Sequence, residues 1–186
     1  MQARIDEALA AHDRGWWLTP LKGKKPILQA WTELPRATRE MVAEWAAIGN
    51  VGVRTGVCRR SDGLVLVAVD VDPGAPQVFA DAWQTIPGLW ARTPRGGLHG
   101  YFYGPPGLRN SASQLAPHVD IRARGGQVVC VGAEGYSWIR QDDIGEIPPE
   151  WLDTLGSRGK LERAASAVAN APEGARNDTL NREAWK

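Results

Sequence analysis

Cysteine is scarce in this 186-residue chain: Cys58 and Cys130 are the only two. They stand too far apart for a C-x-x-C metal site, and no Cys/His cluster offers a built-in zinc module. Two unclustered cysteines suit free thiols in a reducing compartment. Long apolar runs are also missing. None approaches the roughly 20 residues that a membrane-spanning helix requires. The opening MQARIDEALAAHDRG is charged throughout and lacks the apolar core of a secretory signal, so the expectation is a cytoplasmic protein. Charge of one sign is absent too. Lys and Arg total 22 against 21 Asp and Glu, a formal +1. Bulk electrostatic attraction to a polyanion is therefore excluded, and any such partner must be met by a local patch.

What is present is ordinary for a soluble globular domain: 43% hydrophobic and 23% charged residues. The length suits one compact domain with a short appendage. Nine Trp residues sit mostly at the edges of apolar segments, which places most of them in the core or at its rim. Apolar spacing predicts a helix over 5–12 and a second over 38–47 with Thr38 as its N-cap. WWLTPL reads as a strand entering the KGKKP loop, and NVGVRTG as a strand ending in a glycine turn. LVLVAVDVD is the clearest strand, closed by Pro73-Gly74. A helix over 76–85 follows, and then GLHGYFYG and HVDIRARGGQVVCVG read as further strands with Gly-rich connections. The expected fold class is α/β or α+β. After Trp151, GSRGK reads as a linker, LERAASAVANA as helical, and the last stretch as another helix capped at Asn177 or Asp178. The chain thus divides into a domain over 1–155 and a helical tail over 156–186, expected to lead into a longer protein.

Side chains two apart on a strand share a face, which puts Asp70 and Asp72 together at the end of an apolar strand. Two such carboxylates repel unless a cation lies between them, and their hard oxygens suit Mg²⁺ or Mn²⁺. The same rule sets Asp120 beside Arg122 and Arg124, and His99 on a face with Tyr101 and Tyr103. Arg95, Gly96 and Gly97 precede the His99 strand, where a glycine turn lets backbone N–H groups approach an anion. Arg54 and Thr55 close the NVGVRTG strand, and Lys22, Lys24 and Lys25 share one loop; such cations suit phosphate. Each feature has a plainer reading: solvated strand-end aspartates, a structural histidine, a solvated lysine loop. Their co-occurrence at strand ends and glycine turns points to a two-metal site beside a triphosphate site.

The ordered set KGKKP…W, NVGVRTG, VLVAVDVD, TPRGGLHGYFY and VDIRARGGQVV resembles the primase-polymerase domains of phage and plasmid replication proteins, members of the archaeo-eukaryotic primase superfamily. The resemblance spans about residues 10–155. It implies a catalytic sheet of RNA-recognition-motif type, packed with a smaller N-terminal α/β unit and followed by a short helical tail. It also implies metal-binding roles for Asp70, Asp72 and Asp120, and phosphate contact by His99. Arg54, Thr55 and Lys25 then fall in nucleotide-binding elements, joined by Arg95, Gly96, Gly97 and Arg122. Lys22, Lys24 and Arg124 are candidates for contact with DNA, and Tyr101 for a gate beside the sugar. Two Mg²⁺ or Mn²⁺ ions, a single-stranded DNA template with its primer, dNTP or NTP, and a helicase domain or protein are the implied cofactors and partners. Two departures stand out: Gly97 occupies a position often Ser in relatives, and VGAEG replaces a Pro-Pro-Ser-like segment.

Three other classes compete. An Asp-x-Asp phosphohydrolase also begins with an apolar strand, but its motif continues to Thr or Val where this chain has Pro73-Gly74, and no fitting downstream Lys and Asp pair follows. A nucleotide-sugar transferase leaves the Gly-Gly-x-His strand without a role. A catalytically inactive module that binds nucleotide or single-stranded DNA keeps the sheet, with the three aspartates arguing against it.

Overall fold

The computed structural model describes residues 1–156. The predicted linker and helices beyond them lie outside the described residues. Apolar spacing in the first segment forms helix α1, Gln2–Asp13, which turns Ala8 and Ala11 into the core. The chain then enters strand β1, Trp17–Lys22, and turns at Gly23 into the short strand β2, Lys25–Pro26. Helix α2, Arg39–Ile48, starts where expected, with the Thr38 hydroxyl accepting from the Met41 N–H. Strand β3, Asn50–Arg54, pairs antiparallel with β1. With strand β9, Gln127–Val129, these make a four-stranded antiparallel sheet of order β2-β1-β3-β9, on which α1 and α2 pack.

The second sheet grows around the β-branched strand β4, Val65–Val71. It holds six antiparallel strands in the order β10-β5-β6-β4-β8-β7, where β5 is Leu89–Arg92, β6 Leu98–Gly104, β7 Ser111–Ala116, β8 Val119–Arg122 and β10 Ser137–Gln141. Its central order, β5-β6-β4-β8, is that of the RNA-recognition-motif sheet that the family resemblance implied. Between β6 and β8, however, the chain builds β7 rather than a helix. The fold is α+β, with two antiparallel sheets.

The structure adds to the sequence reading in several segments. The helix expected over 76–85 is two pieces, α3 at Gln77–Ala80 and α4 at Ala82–Thr85. They break at Asp81 (φ −100°, ψ 0°), whose carboxylate accepts from both Gln77 and Gln84 side chains. HVDIRARGGQVVCVG does form strands, but β8 and β9 belong to different sheets, with Gly125-Gly126 carrying the chain across. Strands β5, β7 and β10 carry little periodic signal: β5 is four residues long, and β7 and β10 are sheet edges whose registers shift.

The main core fills the space where the sheets meet. Trp16, Leu18, Val51, Val53, Leu66, Ala68, Leu89, Tyr101, Val128 and Cys130 form one buried cluster. Trp16 stacks on Tyr101 with ring centroids 4.9 Å apart, an arrangement worth about 0.5–1.5 kcal/mol beyond its buried area. Trp90, also fully buried, meets Phe102 edge-on. Both cysteines are free and buried, and burial pushes their thiols up, Cys130 to about 12, which leaves them inert. Met1–Ile147 form one compact unit and a second begins at Pro148; helix α5, 149–156, opens the second. Among the described residues, no helix is long and apolar enough to cross a membrane.

Candidate active site

Register decides the site. Asp70 on β4 lies directly opposite Asp120 on β8 and directly opposite His99 on β6. Directly opposed residues of antiparallel strands share a face, so the order Asp120–Asp70–His99 is a row across three strands. Asp72 follows the end of β4 on the same face and is exposed. Its backbone N–H donates to the His118 carbonyl at 2.8 Å.

A cleft of about 390 Å³ opens over this row, lined by both sheets. Asp70, Asp72, His99 and Arg122 come from the six-stranded sheet, and Thr93 and Arg95 from the β5–β6 turn. Lys24 and Gln127 come from the other sheet, and Tyr136 from the segment before β10. The β1–β2 turn is tied to the cleft by Gln127, whose side-chain amide donates to the Lys24 carbonyl at 2.9 Å.

Charges in the cleft are arranged in opposite pairs. Arg122 Nη2 stands 2.8 Å from Asp120 Oδ2 and 3.5 Å from Asp70 Oδ2. His99, only 5% exposed, sets its Nε2 3.5 Å from Asp70 Oδ1. Burial by itself would raise the Asp70 pKa; the His99 and Arg122 side chains outweigh it and hold the carboxyl below its ordinary value. Asp120 takes a further bond from the Ser113 N–H at 2.9 Å.

The β5–β6 turn is shaped by two glycines. Gly96 has φ +85°, the left-handed region that suits glycine. At Gly97 the reason is proximity: an added Cβ would lie 2.5 Å from the Val71 carbonyl oxygen. A serine there would not fit this backbone.

Of the residues singled out from sequence, Asp70, Asp72, His99, Arg95, Arg122 and Lys24 line one cleft, with Asp120 alongside. Others stand elsewhere. Arg54, 2% exposed, donates to the carbonyls of Thr32 and Leu34 and lies over the Trp17 ring. The buried Thr55 hydroxyl donates to the Ala123 carbonyl at 2.7 Å. Both residues hold loops rather than line the cleft. Lys22 and Lys25 are exposed partners in the β1–β2 hairpin. Arg124 lines a separate hollow with Arg109 and Asn110. Tyr101, the candidate gate, is a correction: it is fully buried against Trp16. Tyr136 is the tyrosine that reaches the cleft. Thr93, Gln127 and Tyr136 also line it, although the sequence reading assigned them no role: Thr93 and Gln127 lie inside quoted motifs without standing out, and Tyr136 lies in no motif.

Chemically, the donor set fits a hard divalent ion in kind, with carboxylate oxygens at the end of a polar cleft. Among the described residues, no three acidic, His or Cys side chains converge closely enough to hold an ion unaided, and Arg122 neutralises Asp70 and Asp120. Fold and site together define an α+β protein that presents carboxylates, an imidazole and phosphate-suited cations to one cleft. The chain belongs to the bifunctional DNA primase/polymerase N-terminal family, whose model matches residues 8–151. At the level of that family it is a DNA primase/polymerase domain acting in replication. No curated protein matches the chain.

Proposed function

We propose that the chain is a template-directed nucleotidyltransferase that makes and extends primers on single-stranded DNA, with the row Asp120–Asp70–His99 as its reaction centre. The direct opposition of these residues across β8, β4 and β6 carries the reading. A pair of Mg²⁺ or Mn²⁺ ions bound by Asp70, Asp72 and Asp120 would supply the charge neutralisation that in-line phosphoryl transfer requires. The chain's own groups do the rest. Lys24 and Arg95 reach the cleft from opposite walls and bind the triphosphate oxygens. His99, held against Asp70, orients the phosphates from the sheet floor, and the Gly96-Gly97 turn admits them close to the backbone. Arg122 helps to keep Asp70 ionised and pairs with Asp120. Template, primer, dNTP or NTP and a helicase of the same replication system are the partners of this reading.

The test is extension of labelled nucleotides on single-stranded template, with and without an annealed primer, in Mg²⁺ or Mn²⁺. Asp70→Ala and Asp72→Ala should each reduce product by roughly a thousandfold or more, because charge stabilisation at a transferring phosphoryl group contributes several kcal/mol. Full activity in either variant overturns the assignment. A second reading, a nucleotide-binding module without catalysis, draws on the Arg122 bridge between Asp70 and Asp120. Nucleotide binding without any product in the parent chain would favour it.

A further inference from the structure

Among the described residues, three that are not glycine have a left-handed φ: Ala30 (49°), Ser113 (52°) and His118 (61°). Two of the three sit in one hairpin, β7–β8. Its register shifts between Ser111 and Ala116, and Pro117-His118 make the turn before Val119. His118 follows the turn proline, where a left-handed residue is usually glycine or asparagine. Both side chains are exposed, so packing does not compensate for the unfavourable backbone. Strain of this kind persists where the surrounding structure over-determines it, often beside functional groups.

What these residues contact gives the reason. The Ser113 N–H donates to Asp120 Oδ1 at 2.9 Å, and the His118 carbonyl accepts from the Asp72 N–H at 2.8 Å. The two are locked together, because the His118 N–H donates to the Ser113 hydroxyl at 3.3 Å. The His118 ring lies beside Gly74, in the turn that ends β4. One strained hairpin therefore touches both aspartates that flank Asp70 in the proposed site.

We propose that the β7–β8 hairpin is a positioning device: left-handed Ser113 and His118 present a backbone N–H to the Asp120 carboxylate and a backbone carbonyl to the Asp72 N–H, and so fix the Asp120 carboxylate and the backbone that carries Asp72. Ser113 and His118 are positioning residues, acting chiefly through their backbone conformation, with the Ser113 hydroxyl adding one 3.3 Å link between them. The proposal rests on the functional reading above for its purpose, but its contacts can be tested separately.

The experiment compares Ser113→Gly and His118→Gly, which keep a positive φ, with Ser113→Val and His118→Val, whose branched Cβ disfavours it. Amide hydrogen exchange at Ser113 and Asp72 reports the two contacts without turnover, and Mn²⁺ titration by paramagnetic resonance reports the site. The glycine variants should keep protected amides and parent-like Mn²⁺ binding. The valine variants should lose protection at these amides and weaken Mn²⁺ by about tenfold or more, the usual cost of a lost supporting contact. Valine variants that keep both properties overturn the proposal, as do glycine variants that lose them equally. Should a valine variant not fold, Asp120→Ala decides: the Ser113 amide should lose its protection, and retained protection overturns the proposal. A parent chain that binds no Mn²⁺ refutes the metal part of the functional reading, while the exchange data still decide the hairpin.

Discussion

On one face of β4, Leu66 and Ala68 are fully buried where the two sheets meet, whereas Asp70, two residues further along, keeps 19% of its side chain exposed toward the cleft. Backbone geometry is the same at both ends. What differs is the cover. Leu66 and Ala68 lie opposite Tyr103 and Tyr101, in a cluster closed by Trp16 and the four-stranded sheet. Asp70 lies opposite His99 and Asp120, where that sheet stands off and leaves a polar cleft. The wedge between two sheets thus makes a core at one end and a site at the other, and the strand changes composition where the wedge opens.

Exchanging the character of the ends should have the largest effect. Leu66→Asp places an unpaired carboxylate in the closed end and should cost more than about 4 kcal/mol, enough to prevent folding. Loss of near-ultraviolet dichroism would show it, and a folded variant would break the comparison. Trp16→Ala removes the lid of the closed end and should cost about 3–5 kcal/mol in urea denaturation. The open end should respond more mildly. Gly97→Ala forces a methyl against the Val71 carbonyl. It should cost about 1–3 kcal/mol and reduce extension besides, because Val71 lies between Asp70 and Asp72.

The smallest effect concerns acid. His99 and Arg122 hold the Asp70 pKa below its ordinary 3.8 against the opposing effect of burial. A carboxyl with a depressed folded-state pKa contributes stability that is fully present above the unfolded value and is lost as pH falls through the folded one. Stability should therefore decline below about pH 4, and more gently in Asp70→Asn. Urea midpoints across pH 2–6 check this; identical profiles for parent and variant would remove Asp70 from the account.

The sequence was most informative where one strand or one turn holds the signal. Thr38 marks the start of α2, the β-branched run marks β4, and Asp70 and Asp72 announce a charged end to an apolar strand. It was least informative where signals come from elsewhere in space. The 76–85 helix breaks at Asp81, where no glycine or proline announces a break, and the edge strands β7 and β10 have no alternation to read. Arg54 and Thr55, at the end of β3, have the chemistry of phosphate ligands, yet their side chains are committed to the carbonyls of Thr32, Leu34 and Ala123.

By itself, then, the sequence narrowed the class to α/β or α+β and determined the strand carrying the aspartates and the family, because local periodicity and residue type are properties of short segments. Only the tertiary structure decided that Asp120, Asp70 and His99 are neighbours in one row and that Lys24 and Gln127 form the facing wall. It alone also buried Tyr101 while opening Tyr136 to the cleft. Those outcomes depend on strand register and on how two sheets meet, and contacts between residues far apart in the chain leave no period in the sequence to read.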